Sequence, residues 1–198
     1  SGYPMLNGLK IAMLTNGYYP RIGGAERQVG DIASRLHGKG ASVDVITREF
    51  PGAPRFEVVD GIQVHRLPAH GLKPVASISY TFCSLRLLKK IKPDIIHAHE
   101  LFSTTTTAVL AKGLFARPVV ATPHSSGYFG DVYRLQHKFL GKLRLSIFRE
   151  YVDSFTTISQ KVGQELSLSG VKPEKLVYIP NAVDTQKYCS SKNVHQTR

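Results

Sequence analysis

Short apolar, β-competent runs alternate with helical patterns along almost the whole chain, and that alternation leaves one fold class open. Leu9–Thr15 (LKIAMLT), Ser42–Arg48 (SVDVITR), Asp94–His99 (DIIHAH), Arg117–His124 (RPVVATPH), Ser154–Ser159 (SFTTIS) and Lys175–Pro180 (KLVYIP) read as strands. Between the first two, Ala25, Val29, Ile32, Ala33 and Leu36 fall on one face of a helix that Gly38–Gly40 can stop. Further helices are predicted at Ser77–Lys92 (ended by Pro93), Phe102–Phe115, Val132–Tyr151 and Lys161–Leu168. Arg55–Pro68 reads as a hairpin turning at Asp60–Gly61. Strands separated by crossover helices form a mostly parallel sheet covered on both faces, so the chain is predicted to be a doubly wound α/β domain. Such folds bind ligands in the crevice at the carboxyl ends of the strands, which singles out the loops after the first strand and after DIIHAH, PVVATPH and SFTTIS.

The first of those loops carries Gly23 and Gly24 at the entrance to a helix. The stretch GYYPRIGGAE is neither the dinucleotide fingerprint nor the Walker loop. Two readings remain. The glycines either serve a tight turn or close helix–sheet contact, or they bare a helix N-terminus whose unpaired amides attract a phosphate or other anion.

Histidines mark two further strand ends. In HAHE, His97 and His99 alternate and so share a face, with His99 and Glu100 at the carboxyl end; TPHSS places His124 at another such end, ahead of Ser125 and Ser126. Each histidine could be packed under a loop, or could hydrogen-bond substrate hydroxyls or phosphate near neutral pH. A zinc site is not supported, because nothing nearby has ligand spacing, and the G-x-S-x-G elbow of serine hydrolases is missing. Glu49 and Glu57 stand eight apart, but the two prolines between them assign that stretch to a loop.

In Tyr133–Tyr151, Leu135, Phe139, Leu143, Ile147 and Tyr151 recur every fourth residue, while Arg134, Lys138 and Lys142 form a separate basic row. This pattern suits either a core helix with a solvated charged face or a segment lying on an anionic membrane surface. The whole chain is basic, with 26 Lys and Arg against 14 Asp and Glu, which favours anionic partners. The cations are dispersed and no nucleic-acid module appears, so nucleic acid is not an expected partner. Cys83 and Cys189 are far apart, which suggests no disulfide framework and fits a reducing compartment. No apolar run approaches the roughly 18 residues of a spanning helix and no leader precedes the first strand. A cytoplasmic protein, at most peripheral on a membrane, is expected.

In order and at their spacing, YYPRIGGAERQV, PDIIHAHE, VVATPHSS, TTISQ and VYIPNAVD resemble the N-terminal domain of the retaining GT-B glycosyltransferases of sequence family four, over roughly residues 8–188. YFGDV (Tyr128–Val132) and IPNAVD are similar to the phosphatidylinositol N-acetylglucosaminyltransferase catalytic subunits of that family; the phosphatidylinositol mannosyltransferases are a second relative. The resemblance implies a Rossmann-like GT-B half at 8–188 and a donor-binding domain absent from this chain; from the residues themselves, 1–7 are expected to be a disordered remnant and 189–198 a polar tail. The resemblance also implies acceptor binding in transfer from a nucleoside-diphosphate sugar to a hydroxyl acceptor, with a phosphoinositide or other glycolipid as the guess, and no metal or other cofactor. His124 would be the catalytic histidine beside the transferring sugar. Gly23, Gly24, Tyr18, Arg21, His99, Glu100, Ser125 and Asn181 would bind phosphate or substrate, Asn181 at the crossover to the second domain. Residues 133–151 would touch an anionic membrane. The rival readings are a non-catalytic anion-binding module of the same fold and a sugar-nucleotide epimerase; the latter is expected to carry the dinucleotide fingerprint that this chain lacks.

Overall fold

In a computed structural model, which describes residues 5–21, 23–69, 71–138 and 140–181, the alternation becomes one eight-stranded sheet with helices on both faces. The elements are β1 (Lys10–Leu14), α1 (Gly24–Gly38), β2 (Ser42–Arg48), β3 (Phe56–Val59), β4 (Ile62–Leu67), α2 (Lys73–Ile91) and β5 (Ile95–His99). They continue through α3 (Ser103–Phe115), β6 (Val119–Thr122), α4 (Asp131–Gln136), α5 (Gly141–Tyr151), β7 (Ser154–Thr157), α6 (Gln160–Leu168) and β8 (Leu176–Tyr178). The sheet order is β3-β4-β2-β1-β5-β6-β7-β8, parallel throughout except for the β3–β4 hairpin. Asp60 and Gly61 turn that hairpin with φ of 50° and 80°, a conformation in which glycine is unstrained.

Alternation along β1 divides the core. Ile11 and Met13 pack beneath α1 with Val29, Ala33, Val43 and Val45. Ala12 and Leu14 face the opposite layer, with Leu88, Ile96, Ala108, Phe148 and Phe155. Leu6 joins the first of these clusters and donates its amide to the Lys39 carbonyl at 2.8 Å. Residues 1–4, the 189–198 tail and Cys189 lie outside the described residues.

The predicted helix over 132–151 is two helices meeting at a corner. Leu140 adopts φ 54°, the Gly141 amide bonds the Lys138 carbonyl, and Gly141 packs so closely that a Cβ there would stand 1.7 Å from the Leu135 carbonyl oxygen. The turn also rotates the faces. Leu135 is buried, but Leu143, Ile147 and Tyr151 are exposed, and α5 faces the core with Leu145 and Phe148 instead. The four-residue apolar row is therefore a core row only in α4; Phe139 lies outside the described residues.

Candidate functional site

The chain winds one way from β1 to β2 and the other way from β1 to β5, so the loops leaving β1 and β5 diverge and open a crevice. Its floor is a polar knot. Asn16, just after β1, donates to the Glu100 carboxylate and accepts from Arg48 Nε at 3.1 Å and from Ser103 Oγ at 3.2 Å. Arg48 also donates to Ser103 Oγ at 3.0 Å and stacks 5.0 Å over the ring of buried Tyr80. Glu100 takes φ 69° as the chain leaves β5, and burial raises its carboxyl above the usual range against the opposing hydrogen bond from Asn16.

One strand over, three imidazoles stack. His97 and His99 share a face of β5 with ring centroids 4.2 Å apart, and His124, beyond β6, lies 5.2 Å from His99. His99 is wholly buried, its Nδ1 3.0 Å from His124 Nε2, and its Nε2 has no partner. His124 Nδ1 is 2.8 Å from Gln28 Oε1 on α1, and His97 Nε2 is 2.7 Å from Thr122 Oγ1. Burial lowers His97 and His124 to about 4 and His99 well below the usual range, so the stack is uncharged at neutral pH. Asp131 anchors the loops around it, accepting from the amides of Leu101 and His124 and from Ser125 Oγ at 2.7 Å.

On the α1 side, the glycines have separate reasons. A Cβ on Gly23 would meet the Glu26 carboxylate at 2.3 Å, so Gly23 makes room for an acid folded back over its own helix start. A Cβ on Gly24 would meet nothing within 4 Å: this position faces open space. Arg21 pairs with Glu26 at 3.2 Å and also borders the crevice. Tyr18 is mostly buried in the cluster beneath α1 and also borders a hollow with Tyr19, Arg21 and Glu26. The wholly buried Arg66 of β4 fastens this loop, donating to the Tyr19 carbonyl at 2.6 Å while pairing with Glu57 at 2.5 Å. Glu57 is thus on a strand and structural. Asn181, exposed, borders a hollow with Gly24, Arg27 and Gln28.

Across the crevice from α1 lies a cleft of about 930 Å³ between α2, α3 and the α4–α5 corner. Among the described residues, Arg48, Lys73, Arg134, Lys138 and Arg144 line it, with the Glu26-paired Arg21 at its edge, against the single carboxylate of Glu100. Burial and the neighbouring charges of Arg134, Arg144 and Lys73 all press the Lys138 ammonium to a lower pKa. Arg144 donates to Thr106 Oγ1 at 2.8 Å, while its buried Nε has no partner. Ile78, Phe82 and Leu110 add apolar side chains to its lining. Such a cavity accepts an anionic group attached to an apolar body.

The structure thus links His99 with His124 and, through Asp131, with Ser125, sets Glu100 in the adjoining polar knot, and leaves Gly24, Arg21 and Asn181 on the facing side. Sequence reasoning missed Gln28, Asp131, Arg48 and Arg144. Gln28 and Asp131 sit within the quoted YYPRIGGAERQV and YFGDV stretches, and Arg48 ends a predicted strand at the crevice; nothing local marks Arg144. Among the described residues, no group of three or more His, Cys, Asp or Glu side chains is placed to hold a metal ion.

The model of Glycosyltransferase Family 4 matches residues 22–187. Among curated proteins, the chain is 25% identical over 187 residues to a phosphatidylinositol N-acetylglucosaminyltransferase component of Arabidopsis thaliana, covering 91% of this chain and 41% of that protein. It is 27% identical over 181 residues to the human protein of the same name, covering 88% and 37%. The chain therefore spans less than half the length of the curated relatives it matches. Among solved structures, sucrose-phosphate synthase from Thermosynechococcus elongatus superposes with a TM-score of 0.70 at 18% identity, covering 90% of this chain and 49% of that one. Anabaena HepE in complex with UDP-glucose does so with 0.68 at 16%, covering 91% and 46%; these likenesses establish the fold, one GT-B half.

Proposed function

The chain belongs to glycosyltransferase family 4, and from that premise we propose that it is the acceptor-binding half of a retaining glycosyltransferase that moves a sugar from a nucleoside-diphosphate donor to a hydroxyl acceptor. The observation that carries the reading is the charge imbalance of the cleft: among the described residues, five cations besides the Glu26-paired Arg21 stand against one acid, alongside the apolar side chains of Ile78, Phe82 and Leu110. That combination suits an acceptor whose hydroxyl is joined through phosphate to a lipid. A phosphoinositide is the favoured candidate, because the Arabidopsis and human relatives are named for phosphatidylinositol. The donor would lie across the crevice, against Gly24 and the amides at the start of α1, and chiefly on a second domain. Catalysis would come from positioning and from stabilising the leaving phosphate, with His124, Ser125 and Asn181 on the donor side and His99 and Glu100 bordering the acceptor.

A membrane partner follows from the same acceptor. The outward row Leu143, Ile147 and Tyr151 on α5, with the exposed Lys142, would rest on an anionic bilayer. Peripheral attachment to the cytoplasmic face is the reading, and among the described residues no helix is long and apolar enough to cross a membrane.

The test is an NMR titration of the chain with a soluble inositol phosphate, UDP-GlcNAc and GDP-mannose in turn. Inositol phosphate is expected to move the signals of Arg48, Glu100 and Arg144, with the nucleotides acting weakly and around Gly24. If a nucleotide alone moves the cleft signals, the cleft serves the donor and the acceptor reading fails. If nothing moves them, an anion-binding role of the cleft is refuted.

A further inference from the structure

Gln28 stands one helical turn beyond Gly24 on α1, with its Oε1 2.8 Å from His124 Nδ1. His124 Nε2 lies 3.0 Å from His99 Nδ1, and the chain of contacts ends at the buried, unpartnered Nε2 of His99. Two proton arrangements satisfy these distances. With the carboxamide oxygen on His124, Nδ1–H donates to Gln28, Nε2 accepts from His99 Nδ1–H, and the orphan is a lone pair. With the carboxamide turned over, each proton shifts one place and the orphan becomes a buried N–H without an acceptor. An orphaned donor is the rarer and costlier of the two, which selects the first arrangement.

We propose that Gln28 is a positioning residue that holds His124 uncharged and in its Nδ1–H form, and through it orients His99. A neutral oxygen accepts the Nδ1 proton without favouring an imidazolium; a carboxylate in its place would stabilise the charge. The other groups facing His124 bear this out. Glu26, also on α1, favours the charged form, but its carboxylate is turned to Arg21 and to the space beside Gly17 and Gly23. From β5 the neighbour is His99, and from α4 the Asp131 carboxylate is engaged by the His124 amide rather than its ring. Both ring nitrogens of His124 are therefore committed inside the protein, and what the crevice meets is a fixed, neutral ring. The value of neutrality rests on the proposed sugar transfer, in which the migrating sugar gains positive charge and an imidazolium beside it would oppose the reaction.

Long-range 15N–1H histidine spectra of the 198-residue chain without ligand test this. Wild type should show a protonated Nδ1 and an unprotonated Nε2 for His124. Gln28→Glu should keep that tautomer and move the His124 titration upward by about 1–3 pH units. Gln28→Met, with no acceptor, should lose the tautomer preference. A packing role alone would change the melting temperature and leave tautomer and titration as they are. An Nε2–H tautomer in wild type, or an unmoved titration in Gln28→Glu, overturns the inference. Since no ligand is added, these outcomes are separate from those of the inositol phosphate titration: either reading can fail with the other intact.

Discussion

The two flanks of the crevice are built on opposite electrostatic plans. On the α1 flank and at the imidazoles it meets, the polar groups are largely matched within the protein: Glu26 with Arg21, Gln28 with His124, His124 with His99, and Asp131 at the start of α4 with two amides and a hydroxyl. On the flank of α2, α3 and the α4–α5 corner, cations from five separate elements or loops crowd one carboxylate. The first flank is a preorganised, nearly neutral surface that can orient a ligand without adding charge. The second carries a charge excess that an incoming anion would relieve. One sheet thus offers two chemically distinct walls, the division of labour that a transfer between two substrates needs.

The comparison can be broken at its supports. Asp131→Ala should have the largest effect, because it leaves two inward-facing amides unpaired at about 1–3 kcal/mol each. Chemical denaturation would measure the loss, and the His99–His124 contact should loosen with it; a change under about 1 kcal/mol would show that Asp131 does not anchor the α1 flank. Gly141→Ala comes next, forcing a Cβ against the Leu135 carbonyl. A stability loss of about 1–3 kcal/mol or more is expected, together with weakened anion binding as Arg144 moves with α5. Normal stability would mean that the α4–α5 corner yields freely.

How much of this could be read beforehand depended on range. The strand SVDVITR, the Asp60–Gly61 hairpin turn and the shared face of His97 and His99 follow from spacing within a few residues, and each was legible. The α4–α5 corner was not, since a four-residue apolar row is as compatible with an exposed stripe as with a core, and the positive φ at Leu140 carries no local signal. The burial of Tyr18 under α1 likewise has no local signal, because it depends on how the helix packs on the sheet. The Gln28–His124 contact joins residues 96 apart and the cleft gathers cations from across the fold, so both appear only once the topology is known.

Smaller effects sharpen the contrast. The imidazole stack holds fewer protons when folded than when unfolded between about pH 6.5 and 4, so its contribution to stability is present above that window and falls away as pH drops through it. Glu100 and Asp131, whose carboxyls burial raises, act in the opposite sense. The histidine part is therefore read as a difference: His99→Phe should flatten the acid decline in denaturation midpoint relative to wild type. Parallel curves would contradict a neutral stack. On the outer surface, Lys142→Gln should weaken binding to anionic vesicles by about fivefold and leave neutral vesicles unaffected. Equal binding by the variant would remove α5 from the membrane contact.

The most direct measurement is calorimetric affinity for a soluble inositol phosphate, taken side by side on wild type, Arg144→Gln and Gly24→Val. If the cationic cleft is the acceptor wall, Arg144→Gln should weaken binding by about tenfold or more, the worth of one charge-assisted hydrogen bond, while Gly24→Val leaves it nearly unchanged. The reverse pattern would place the acceptor's phosphate at the start of α1 and contradict the assignment of the two walls.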